Sequence, residues 1–131
     1  MQLCYEEGRR LGFLSFAIHG GTGGRPDHTF ANYSLLLRIA EDGGRATLYS
    51  EKYLATVIKN TSITLRGKCG NHLSVFAFGG NAEGVSVLGA EYEARDVTLT
   101  PDFPLGVSNS FKDGDAVISV SSGALLVMWE K

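Results

Sequence analysis

Only two cysteines, Cys4 and Cys69, occur in the 131 residues. So few cannot make the disulfide framework that small secreted domains use in place of a large core. Three prolines and one tryptophan leave no room for a proline-rich spacer. Charge of one sign is also lacking, with twelve Lys plus Arg against fourteen Asp plus Glu and a formal net charge of -2. The basic residues are scattered, so the stripe that neutralises nucleic-acid phosphates is missing and no nucleic-acid partner is expected. The longest early apolar run spans about eight residues, too short for a membrane span or an effective export signal. Glu6 and Glu7 also dilute the basic pair Arg9-Arg10 ahead of it. These gaps predict a cytoplasmic protein with reduced thiols and no membrane association.

What is present suits a single folded domain over residues 1–131. Apolar residues make up 44% and charged residues 20% of the chain, the range of ordinary globular proteins. Seventeen glycines and several short apolar runs predict an all-β domain. We expect an antiparallel β-sandwich or closed β-barrel of about eight strands with one short covering helix.

The strand reading rests on particular stretches. Ser34 to Tyr49 contains two apolar runs joined by Asp42-Gly43-Gly44, the pattern of a β-hairpin. A second hairpin is expected from Ala116–Val120 and Ala124–Trp129 around Ser121-Ser122-Gly123. Ser62 to Arg66 alternates apolar and polar residues, as a strand with one wet face does. Leu73 to Phe78 is apolar on both faces and reads as a covered strand. Glu91 to Thr100 changes phase near Arg95-Asp96, which implies a bulge, and Pro101 to Asp115 reads as a long connection. Ser50 to Asn60 carries large apolar residues at 53, 54, 57 and 58, the stripe of the covering helix.

Candidate chemistry concentrates in Ala17 to His28, AIHGGTGGRPDH, where His19, Arg25, Asp27 and His28 are the candidate ligand-binding residues. A glycine-rich loop cradles phosphate when it opens a helix, because amides and helix dipole converge on the anion. Here Arg25-Pro26-Asp27-His28 reads as a turn that starts no periodic helix, and the glycine spacing matches no standard phosphate motif, so a plain connection is expected. A metal held by His19, Asp27 and His28 would need three loop-borne ligands to converge, and no metal is assigned. Elsewhere, Cys69 lies near His72 and Lys68, which could activate a thiol, but no helix N-terminus is evident to hold a thiolate. Glu91 and Glu93 would share one face of a strand and could form an acid and base pair, although a solvated face explains them equally well.

No catalytic residues and no cofactor are therefore assigned. The expected function is that of a non-catalytic binding protein engaging a protein partner or small ligand through its loops or a sheet face. The alternatives are a small hydrolase or metal-dependent enzyme on the His19/Asp27/His28 loop, and a self-assembling structural subunit. In Ala124 to Trp129 neither face offers a polar residue to water. That pattern predicts a homo-oligomer with Leu126 and Met128 at its interface.

Overall fold

The computed structural model describes residues 1–131. Its longest helix lies where the first hairpin was expected. Helix α1 (Gln2–Arg10) leads into strand β1 (Ser15–His19), and helix α2 (Pro26–Glu41) then carries the chain to β2 (Arg45–Tyr49). Leu35, Leu36 and Ile39 are its buried residues, the i, i+1, i+4 stripe of an amphipathic helix. Asp42-Gly43-Gly44 is a helix cap rather than a hairpin turn. Gly43, at φ 80°, donates to the Ala40 carbonyl and Gly44 to that of Ile39, the paired bonds of a Schellman motif. Three consecutive leucines ahead of a glycine turn look alike in either reading, and tertiary burial decides for the helix.

β1 and β2 pair in parallel, with α2 as the crossover between them. The remaining strands are β3 (Tyr53–Lys59), β4 (Ser62–Leu65), β5 (His72–Ala77), β6 (Ala82–Leu88), β7 (Ala94–Leu99), β8 (Asn109–Ser110), β9 (Ala116–Ser119) and β10 (Ala124–Glu130). They form a six-stranded sheet in the order β1-β2-β3-β10-β5-β8 and a four-stranded sheet in the order β4-β9-β6-β7. The protein is thus mostly β and sandwich-like, with two sheets and two helices rather than one. Neither sheet closes into a barrel, and the count is ten strands instead of about eight.

Two further expectations are corrected. The proposed helix at Ser50 to Asn60 is strand β3, buried from Ala55 through Ile58. Sandwiched between layers, it is apolar on both faces, and that mimics a helical stripe; its β-branched Thr56, Val57 and Ile58 suit a strand. The terminal runs do form strands β9 and β10, but they do not pair. β9 joins β4 and β6, whereas β10 joins β3 and β5, so Ser121 to Gly123 crosses between the sheets. The bulge near Arg95-Asp96 is present: β6 and β7 slip in register and Asp96 takes φ 53°.

Strand β10 explains the layering. Leu125, Val127 and Trp129 join Leu73, Val75 and Ile58 in a core shared with Leu65, Val85, Val87 and Ile118 of the smaller sheet. Ala124, Leu126 and Met128 face the other way, into a second cluster with Leu35, Leu36 and Ile39 of α2. Both apolar faces of β10 are therefore covered within one chain. Leu126 is buried and Met128 half-buried under the helix, and this removes the ground on which an oligomer interface was placed there.

Helix α1 is fixed to the end of α2 through Tyr5, whose hydroxyl donates to Asp42 Oδ2 at 2.7 Å. Arg9 and Arg38 reach the same carboxylate at 2.5 and 3.3 Å. The Tyr5 hydroxyl, then these guanidinium groups, hold the Asp42 carboxyl below the usual aspartate range.

Two outcomes follow from this packing. Leu36→Ala should destabilise the protein by about 2 to 5 kcal/mol in chemical unfolding, whereas Val117→Ala on the exposed side of β9 should stay within about 0.5 kcal/mol. Because the Asp42 carboxyl titrates lower in the folded state, its contribution is complete above the unfolded aspartate value and disappears as pH falls through the folded one. Asp42→Asn should therefore be less stable than the wild type near neutrality, and the two melting temperatures should converge in strong acid.

Candidate functional site: a glycine loop opening a helix

Strand β1 ends at His19, and the next six residues, Gly20 to Arg25, turn the chain into α2. None of the five amides from Gly20 to Gly24 donates to another group of the protein. Arg25 occupies the N-cap position in an extended conformation, and Pro26 follows at the first helical position, where its missing N–H costs nothing. The glycine-rich loop thus does open a helix. The sequence reading failed here because Arg25 has no capping side chain and the helical stripe begins only two turns later, at Leu35.

The loop is held in shape from below. Gly21 is buried, and a Cβ on it would lie 2.5 Å from Leu48 Cδ1 and 3.2 Å from Asn32 Nδ2, so a larger residue would have to displace one of them. Asn32, one and a half turns along α2, donates to the Gly21 carbonyl at 2.8 Å. The free amides consequently stand in a fixed order ahead of the helix dipole, an arrangement that binds anions.

Side chains of α2 complete an open cleft of about 1010 Å³. Gly20, Gly21, Gly23 and Gly24 line it with Arg25, Asp27, His28, Asn32 and Arg38, and Gln2 of α1 lies opposite. Arg25 forms a two-pronged pair with Asp27, Nε to Oδ1 at 3.1 Å and Nη2 to Oδ2 at 2.5 Å. That bond, reinforced by the amides of His28 and Asp27 itself, holds the Asp27 carboxyl below its ordinary value. Both partners are exposed, so the pair orients the guanidinium and adds little stability.

Of the four candidate ligand-binding residues, Arg25, Asp27 and His28 line this cleft and His19 does not. The His19 ring instead stacks on Tyr49 of β2, centroids 4.6 Å apart and planes 14° from parallel. No cluster of three His, Cys, Asp or Glu side chains capable of holding a metal ion is present. Asn32 and Arg38 were missed in the sequence. Their signal was the spacing 28, 32, 35, 38, which places them on one face only once Pro26–Glu41 is known to be a helix.

The other candidates are structural. Glu93 precedes β7 and accepts from the Gly89 amide, so Glu91 and Glu93 do not share a strand face. Ser86 accepts from the Asp96 amide at the bulge. Cys69 is exposed and free, and His72 pairs with Glu130 at 3.2 Å.

Residues 60–126 match the family model described as thiamin pyrophosphokinase, vitamin B1 binding domain. The chain belongs to this family. No curated protein matches the sequence. Among solved structures, the thiamine pyrophosphokinase from Bacillus subtilis superposes with TM-score 0.90 at 18% identity, over 99% of this chain and 62% of that one. The enzyme from Geobacillus thermodenitrificans gives TM-score 0.86 at 21% identity, over 100% of this chain and 60% of that one. The Candida albicans enzyme gives 0.76 at 13%, over 90% and 44%. Identities this low establish a shared fold, and the chain spans about three fifths of the bacterial chains. The family is one of enzymes, which overturns the expectation of a non-catalytic binding protein. The matched residues run from the end of β3 into β10, so the glycine loop and α2 lie outside them.

Gly21→Ala tests the loop's foundation. The added methyl must displace Leu48 or Asn32, and we expect a loss of about 1 to 3 kcal/mol on unfolding. The same variant should lose the protected Asn32 side-chain amide signal in NMR spectra, because its partner carbonyl moves.

Proposed function

We propose that this chain forms the vitamin-binding and diphosphate-holding part of a thiamin pyrophosphokinase. The observation that carries the reading is the run of five unpaired amides, Gly20 to Gly24, leading directly into the N-terminus of α2. A transferred pyrophosphoryl group is a compact polyanion, and rows of fixed amides at a helix start are suited to it. The family match over residues 60–126 supports thiamin as the acceptor, bound by the sandwich.

In such a transfer the thiamin hydroxyl oxygen attacks phosphorus, the bond from that phosphorus to the donor's bridging oxygen breaks, and the hydroxyl proton is released. Little of the chemistry falls to the protein beyond positioning and charge stabilisation. The Gly20–Gly24 amides would hold the non-bridging oxygens. Arg25, kept in place by Asp27, and His28 on the first turn of α2 would meet the charge that develops on the moving group. Asn32 acts one step back, since its bond to Gly21 keeps the amides aligned.

Calorimetric titration separates the two halves of this reading. Pyrophosphate should bind the wild type and lose about tenfold or more in affinity in Arg25→Ala, in line with the strength of a charge-assisted hydrogen bond. Thiamin should bind both proteins alike. A wild type that binds neither ligand would refute the proposal, and one that binds thiamin while pyrophosphate ignores Arg25 would remove the loop from the site.

A further inference from the structure

Strands β2 and β3 do not stay together along their whole length. Their ladder runs from Thr47/Thr56 to Tyr49/Leu54, and Arg45 and Ala46 have no ladder partner on β3. The turn before β2 explains the parting. Arg45 donates its amide to the Leu14 carbonyl at 2.8 Å, which draws the start of β2 towards β1. The Thr56 hydroxyl donates to the Ala46 carbonyl at 2.7 Å across the base of the opening. What results is a groove of about 440 Å³, lined also by Thr61, Ser62 and Ile63, where the chain turns from β3 into β4. β4 is the edge of the smaller sheet, paired with β9 alone, so it leaves this side of the groove open.

The groove is cationic. Arg45 and Lys59 both line it, neither forms an ion pair, and no carboxylate is among the lining residues. The hydroxyl-bearing Thr47, Thr61 and Ser62 share the lining with them, and Ile58 and Ile63 make part of it apolar. We propose that this groove binds the phosphate monoester of a small, partly apolar organic molecule. A phosphate dianion has oxygens enough to meet two cations and several hydroxyls together, which a single carboxylate has not. The volume exceeds that of a bare ion and falls within the range of small-molecule pockets, so the apolar lining takes the organic part. The groove opens at the start of β2, whereas the glycine loop rests against Leu48 towards the other end of that strand. It is therefore a second site, independent of the proposed catalysis.

The test titrates the full chain with phenyl phosphate, inorganic phosphate and benzoate and follows amide shifts in NMR spectra at physiological ionic strength. Shifts at Thr47, Thr61 and Ser62 report the groove, and those at Gly20 to Gly24 report the loop. We expect phenyl phosphate to shift the groove amides saturably, and to bind there more tightly than either inorganic phosphate or benzoate. Arg45→Ala and Lys59→Ala should each weaken that binding by about tenfold or more, the strength of a charge-assisted hydrogen bond. Both side chains are exposed, so the melting temperature should stay unchanged. Arg25→Ala, at the loop, should leave the groove shifts as they are. Shifts confined to the loop, groove shifts that survive both substitutions, or inorganic phosphate or benzoate binding as tightly as the ester would overturn the proposal. If an alanine variant melts early, Arg45→Gln or Lys59→Gln takes its place under the same criteria.

Discussion

Everything at the functional end of this protein depends on the seating of α2 across the six-stranded sheet. Leu36 and Ile39 are almost wholly withdrawn from solvent against Ala46, Leu48, Ala55, Val57 and Leu126. Burying two such side chains is worth about 3 to 6 kcal/mol by area alone, a large share of a small domain's net stability. That contact fixes the rotation of the helix about its axis. Rotation in turn decides that His28, Asn32 and Arg38 face the cleft while Leu36 and Ile39 face the sheet, with Leu35 between the two.

The same seating sets the glycine loop. Once α2 lies on β2, its N-terminus is brought to the carboxyl end of β1, and only a short connection can join them. Gly21 sits where helix and strand approach closest, against Leu48 below and Asn32 beside it. The loop amides donate to no other group of the protein. Gly20, Gly23 and Gly24 are exposed to solvent at the mouth of the cleft, where water or an anion can satisfy their amides. The packing of the core and the placing of the loop are therefore one constraint, since Leu48, against which Gly21 rests, also packs beneath α2.

The legibility of this arrangement in the sequence was uneven for a physical reason. Strands with one wet face, such as Ser62–Leu65, announce themselves by alternation, and the phase slip at Arg95-Asp96 correctly marks a bulge. Elements covered on both faces do not. β3 is apolar at consecutive positions because it lies between α2 and the smaller sheet, and its run was indistinguishable by period from a helix. α2 failed in the opposite sense: its leucines are consecutive, and its cap has the glycines of a hairpin turn. The three cleft residues Arg25, Asp27 and His28 were found by composition. Their meaning was lost with the helix, since an identical glycine loop is a mere connection without an N-terminus behind it.

Self-association shows how a sound local inference can be redirected by topology. The apolar outer face of β10 does require a cover, as Leu126 and Met128 indicate. The cover is α2, which the sequence reading had spent on a hairpin. Restoring the helix to its place satisfies β10, and the parallel pair β1–β2 then carries both helices on one face while Ser15, Ala17 and His19 are exposed on the other. The unpaired surface thus moves from the middle of the sheet to its parallel edge. Its aromatic end, the stacked His19 and Tyr49, lies at the carboxyl ends of β1 and β2, beside the glycine loop.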